Sequence, residues 1–228
     1  MNKLQKAGGL AALYEAIAYI IGMVFFMLVV DYTNVVDPIE KVSLLAQHQI
    51  GLFIMNIIIY VAFGVLLVVL ALALHHRLKD DAPAMVQTAT AFALIWATIV
   101  IASGMIANIG MKAVLDLHAT DPGQAATVWV AIDSVVEGIG GGVEIMGGLW
   151  VLLISWVALR ASRLPKALNL IGLVVGAAGI VSIIPALGEI GGMIFGLGQI
   201  LWFIWLGLVL LLSKTADSHN LAPRAGTQ

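Results

Sequence analysis

There is no cysteine anywhere in the 228 residues. Disulfides, thiolate metal sites and a cysteine nucleophile are therefore excluded. Charge is almost as scarce, at 11% of residues, against about 25% in a soluble domain. With 61% of residues hydrophobic and a mean hydropathy of +1.06, the chain has too little polar surface to face water on all sides. Lipid is the solvent expected for most of it. The net charge of −2 comes with no clustered basic face, so no nucleic-acid partner is expected. No apolar run contains the lysine that a retinal protein needs. Ile101-Ala-Ser-Gly104 has a serine-loop look, but it lacks a leading glycine and the last apolar run has no histidine, which sets rhomboid-type proteolysis aside.

What is present is six apolar runs: about Ala7–Val30, Gly51–Leu74, Ala84–Ile109, Ile139–Leu159, Leu168–Ile184 and Ile190–Leu212. A bilayer crossing takes about 20 apolar residues, so the expectation is an all-α, six-span integral membrane protein. Residues 1–213 form one transmembrane domain in this reading and 214–228 a polar cytoplasmic tail. The first run is too long for a signal-peptide core and has no small-x-small cleavage site, so it reads as a retained span. None of the six prolines falls inside a run, which suits intact helices. The last two runs are so close that they predict a tight helical hairpin.

Lys3, Lys6, Arg77, Lys79, Arg160 and Arg163 fall on one side of this layout, with Lys166, Lys214 and Arg224. Lys41 and Lys112 alone fall on the other. This asymmetry predicts both termini in the cytoplasm. The opposite face is acidic, carrying Asp31, Asp37, Glu40, Asp116, Asp121 and Glu189. Asp37, Pro38 and Glu40 form a helix-start signal in the first outer loop. Ile39, Val42, Leu45 and Ala46 would share one face of that short amphipathic helix.

Asp121, Pro122 and Gln124 repeat the start signal before the fourth run. A continuous helix from there to Leu159 would be about 57 Å long, nearly twice the roughly 30 Å hydrocarbon core. It either projects beyond the membrane or breaks at Gly138, Gly140, Gly141 and Gly142, where glycines could equally serve close helix packing. On an unbroken helix Asp133, Glu137 and Glu144 lie within about 40° of one another, with Gly140 on the same stripe.

Glu144 would sit about 8 Å inside the outer boundary and Glu15 about 10 Å in from the cytoplasmic side. Ionisable residues at such depth are candidates for an ion or ligand pathway, against the plainer reading of solvated or packing carboxyls. Their matching positions in the two three-span halves suit an inverted repeat, although the halves show no clear sequence similarity. Asn56, Ser103, Asn108 and Gln199 lie at similar depth. They line a polar cavity with Glu144 or simply bond helix to helix. His48 and His118, near the outer acids, are a speculative metal pair with no supporting spacing. His75 and His76 read as interfacial, and no cofactor is expected. Gly172 and Gly176, and Gly188, Gly192 and Gly196 at every fourth position, read as helix-packing faces within the chain, in a homo-oligomer or toward another membrane protein. The tryptophans read as packing and interface anchors.

Two stretches carry a family resemblance. KAGGLAALYEAIAYIIG near the N-terminus, and GGLWVLLISWVALRASRLPKALNLIGLVVGAAGIV with its Leu164-Pro165-Lys166 turn, resemble the small bacterial six-span membrane proteins filed as domain of unknown function 4386. The resemblance implies a fold and a membrane location. It implies no catalytic residues, and the Asp133, Glu137 and Glu144 stripe matches nothing in it. The residues point first to a proton- or cation-linked transporter or channel-like protein. A non-catalytic accessory subunit comes second, and a metal-dependent membrane enzyme last.

Overall fold

The computed structural model describes residues 3–141 and 144–213, and the expected tail at 214–228 lies outside them. The helices are α1 Lys3–Val24, α2 Pro38–Gln47, α3 Gln49–Asn56, α4 Phe63–Leu78, α5 Pro83–His118, α6 Pro122–Val136, α7 Ile145–Arg160, α8 Lys166–Val181 and α9 Gly188–Leu212. α3 and α4 are one rod, joined by the π-helical segment Ile57–Ala62. A second π segment, Phe25–Val29, extends α1, and a kinked segment, Glu137–Gly141, follows α6. No strand occurs among the described residues. Five helical stretches are long and apolar enough to cross a membrane, and α8 is a shorter apolar helix. The protein is a multi-pass integral membrane protein.

Six helices close into a ring. α1 packs on α4, α4 on α5, α5 on α7, α7 on α8, α8 on α9, and α9 returns to α1. The ring is filled by aromatic side chains from sequence positions far apart. Phe63, Trp96, Trp150, Trp202 and Phe203 form a closed circuit with successive ring centroids 5.7, 5.9, 5.7, 5.5 and 6.2 Å apart. Most of these contacts are edge-to-face or tilted, the arrangements that aromatic quadrupoles favour.

Helix termini follow the local signals. The Asp37 side chain accepts a hydrogen bond from Ile39 N at 2.8 Å and Asp121 one from Gln124 N at 2.9 Å, so both caps are as expected. On α2 only Val42 and Leu45 are buried, while Ile39 and Ala46 are exposed. α2 lies on α6 and α5 rather than presenting its whole apolar face. At 36 residues α5 is about 54 Å long, well beyond a hydrocarbon core of about 30 Å. Its last turns pack with α2 and α6 in a second cluster around Val42, Met111, Val114 and Trp129. The ends of α1 and α9 meet, with Gln5 Nε2 donating to Leu210 O at 2.8 Å and Ser213 Oγ at 2.9 Å. Arg163 grips Asp81 through two bonds of 2.8 and 2.9 Å at this same end.

Several boundaries differ from the hydropathy reading. α5 runs nine residues past Ile109, because its C-terminal turns are covered by α2 and α6. The fifth span ends at Val181 rather than Ile184, and residues after it form turns before Pro185. The fourth run is interrupted: Gly140 has non-helical backbone angles, and α7 starts only at Ile145. The break falls at the glycine knot. Of that knot, Gly142 lies outside the described residues.

Candidate functional site

The interruption decides where the carboxyls go. With α6 and α7 no longer one helix, the single stripe through Asp133, Glu137, Gly140 and Glu144 does not form. Asp133 and Glu137 face one cavity and Glu144 faces another.

The first cavity is half-open, about 320 Å³, and predominantly apolar. α1 supplies Tyr19, Gly22 and Met23 to its wall, the α3–α4 rod supplies Ile59, Tyr60 and Phe63, and α5 supplies Trp96 and Val100. Gly140 and Glu144 complete it from the broken helix. Glu144 is fixed by its backbone, whose N–H donates to Ser182 Oγ at 3.1 Å and whose carbonyl accepts from Gly148 N at 2.8 Å. Its Oε2 is buried with no hydrogen-bond partner among the described residues.

The second cavity, about 270 Å³, lies beside the first and shares Phe26, Thr33 and Tyr60 with it. Tyr32 closes its outer side: Trp129 Nε1 donates to the Tyr32 hydroxyl at 2.7 Å, and that hydroxyl donates to Asp133 Oδ2 at 3.1 Å. Burial, with the Asp133 carboxylate next in weight, holds the Tyr32 phenol well above its ordinary range, so it remains a donor. Lys41 stands 4.7 Å from the Tyr32 ring centroid, a cation–π contact at the entrance.

Tyrosines join the acids, and sequence reading missed them. Tyr19 and Tyr60 line the first cavity with Glu144, and Tyr60 also lines the second with Asp133 and Glu137. Tyr19 was available from spacing, because Glu15 and Tyr19 are four residues apart on one helix face. Tyr60 had no such signal. It is positioned by Gly104, where an added Cβ would lie 2.5 Å from that of Tyr60.

Over residues 9–211 the sequence matches the family described as domain of unknown function (DUF4386). The chain belongs to this family. No curated protein and no solved structure matches it. The DUF4386 match takes in residues from α1 to α9, and so both cavities.

The other candidate residues in this DUF4386 member fall into three groups. Asn56 lines the second cavity, but its amide donates to Asn108 Oδ1 at 2.9 Å, and Asn108 Nδ2 donates to Phe53 O at 3.2 Å. Ser103 donates to Ile99 O at 2.9 Å and approaches Val136 O at 3.5 Å. These three are tied into helix–helix bonding, and Ser103 and Asn108 do not line either cavity. Glu15 and Gln199 are fully buried, and neither has a hydrogen-bond partner among the described residues.

Among the described residues no three His, Asp or Glu side chains gather closely enough to hold a metal. His48 lines a separate surface hollow beside Gln47 and Gln49. His118 ends α5, and its Nδ1 is buried without a hydrogen-bond partner among the described residues.

The glycine faces divide. Gly172 abuts Ser155, and Gly176 sits against the Leu152 backbone, both within the bundle. Gly188 faces Ser182 O, while Gly192 and Gly196 have nothing within 4 Å of an added Cβ. Gly191 and Gly198 make the close approaches to α8 instead.

Proposed function

We propose that the protein is a small, non-enzymatic transporter or channel-like protein of a bacterial cytoplasmic membrane that moves protons or small cations through Glu144, with Glu15 as a deeper site. The observation that carries this reading is Glu144 at the wall of a half-open cavity. There Tyr19 and Tyr60 line the cavity with it, and Tyr60 also lines the neighbouring cavity that holds Asp133 and Glu137. An ionisable side chain inside a membrane bundle is costly, and such residues usually serve a pathway. Both termini lie on the cytoplasmic side in this reading, supported by the lysine and arginine asymmetry.

The test is reconstitution of the full chain in liposomes loaded with a pH-sensitive dye, under an imposed diffusion potential. Wild type conducts protons or couples them to a cation, and Glu144→Gln falls to the leak of empty liposomes. Equal rates for wild type, Glu144→Gln and empty liposomes would remove the transport reading. Infrared difference spectra of the same pair over pH identify the Glu144 carboxyl and its titration.

A second reading, an accessory subunit of a membrane complex or homo-oligomer, is favoured by one observation: Gly192 and Gly196 present a small-residue face with nothing from the described residues within 4 Å of an added Cβ. Disulfide trapping through Gly196→Cys, in a protein without native cysteine, tests it directly. Trapped pairs would support it, and monomers at every protein-to-lipid ratio would discount the homo-oligomer.

A further inference from the structure

Two π-helical segments and the helix break at Gly140 reach the same cavity. Phe26 and Met27 come from the first segment, Ile59 and Tyr60 from the second, and Gly140 from the break after α6. A π segment widens a helix by one residue, and such segments are frequent at functional sites. Here two widened turns and a helix break, on three separate rods, bound one space.

The chemistry of that space is specific. Five aromatic rings line it: Tyr19, Phe26, Tyr60, Phe63 and Trp96. Glu144 is the one acidic residue among the lining residues, and no lysine, arginine or histidine accompanies it. Its buried Oε2 has no hydrogen-bond partner among the described residues. The volume of about 320 Å³ lies at the lower end of the range for small-molecule sites, about 300–1,000 Å³. The rim carries Met23 and Met27, which are 41% and 51% exposed on the outer surface of α1.

Aromatic faces attract cations through their quadrupoles, and a buried carboxylate gains most from an opposite charge brought against it. A metal ion would ask for several oxygen or nitrogen ligands, which an aromatic wall with one carboxyl does not supply. An anion would meet only negative charge.

We infer that this cavity is a binding site for an organic cation of quaternary-ammonium or lipophilic-amine type, held by Glu144 and the aromatic wall that includes Tyr60, Phe63 and Trp96. This deepens the transport reading by naming a substrate class, and it rests on that reading only for what happens after binding. Methionines on the rim suit an apolar substituent of variable shape.

The test uses benzyltrimethylammonium and its uncharged isostere neopentylbenzene, titrated calorimetrically into the full chain in lipid nanodiscs, with empty nanodiscs as the blank. Wild type binds the cation more tightly than the isostere. Glu144→Gln weakens the cation by about tenfold or more and leaves the isostere unchanged. Tyr60→Leu weakens the cation by roughly three- to tenfold. Thr33, exposed at the junction of the two cavities, gives a variant pair that leaves the core intact. Thr33→Lys weakens the cation and Thr33→Glu strengthens it, with no change for the isostere.

Equal binding of cation and isostere, or cation binding that ignores both Glu144→Gln and the Thr33 charge pair, overturns the inference and makes the cavity a hydrocarbon slot. Glu144-dependent proton flux without cation binding removes this inference and leaves the transport reading standing. Glu144-dependent cation binding without any flux does the reverse.

Discussion

The two halves of the bundle are made of the same apolar residue types, yet the interior of one is filled, with a hollow only beside Asp81 and Trp156 at its rim, and the interior of the other is open. Toward the end where α1 and α9 meet, the rods are regular α-helices. The aromatic circuit of Phe63, Trp96, Trp150, Trp202 and Phe203 seals the middle, and small residues bring the backbones together. Toward the other end two rods pass into π segments and a third breaks at Gly140, and cavities of about 320 and 270 Å³ remain. The comparison teaches that helix regularity, rather than side-chain size, decides which half closes. Phe26 and Tyr60 are as bulky as the rings of the sealed half, but they sit on widened turns and form walls instead of filling the gap.

This contrast can be broken most severely at Trp150, which is fully buried and touches two other tryptophans. Trp150→Ala should cost about 3–5 kcal/mol, read as a large drop in thermal unfolding temperature in detergent. Next comes Gly148, where an added Cβ would meet Gly176 O and Ile180 N, each at 2.7 Å. Those atoms are backbone and cannot swing away, so Gly148→Val should cost about 1–3 kcal/mol and loosen α7 from α8.

In the hollow half the effects shrink. Tyr32→Phe removes a donor to Asp133 and the acceptor for Trp129, and should cost roughly 1–2 kcal/mol in the same assay. The raised Tyr32 phenol also gives a pH signature. Its folded form holds the proton after the unfolded form has released it near pH 10, so this contribution is complete below about pH 10 and declines as pH rises further. Ultraviolet difference titration, wild type against Tyr32→Phe, isolates it. Met27→Ala, on the exposed cavity rim, should change stability by less than about 0.5 kcal/mol, and a loss comparable to Trp150→Ala would erase the distinction between the halves.

The fold was largely legible. Six apolar runs and cap signals at Asp37 and Asp121 led to the rods and the short capped helix α2, because hydropathy and caps are local properties, whereas the glycine knot at 138–142 left a break and close packing both open. Glu15 and Glu144 were visible for the same reason, since a carboxylate in an apolar run needs no partner to be noticed. The π segments at Phe25–Val29 and Ile57–Ala62 were not legible. They read FFMLV and IIIYVA, ordinary apolar helix, and tertiary contacts determine the extra residue per turn. The aromatic circuit was equally hidden, because it joins positions 63, 96, 150, 202 and 203 through ring closure. Asn108 and Ser103 were seen as polar groups at depth, but their bonds to Phe53 O and to the Ile99 and Val136 carbonyls depend on how α5 meets its neighbours.

The closing contact of the ring has a consequence in time. Gln5 and Ser213 are 208 residues apart, and ribosomes add about 5–20 residues per second. Between the emergence of α1 and that of its neighbour α9, roughly 10–40 s pass. Through that interval the first helix, with Glu15 on its inward face, waits in or beside the insertion machinery with one flank uncovered. The ring therefore closes only once α9 has been made, and a chain interrupted before Gly188 would leave α1 with one flank uncovered.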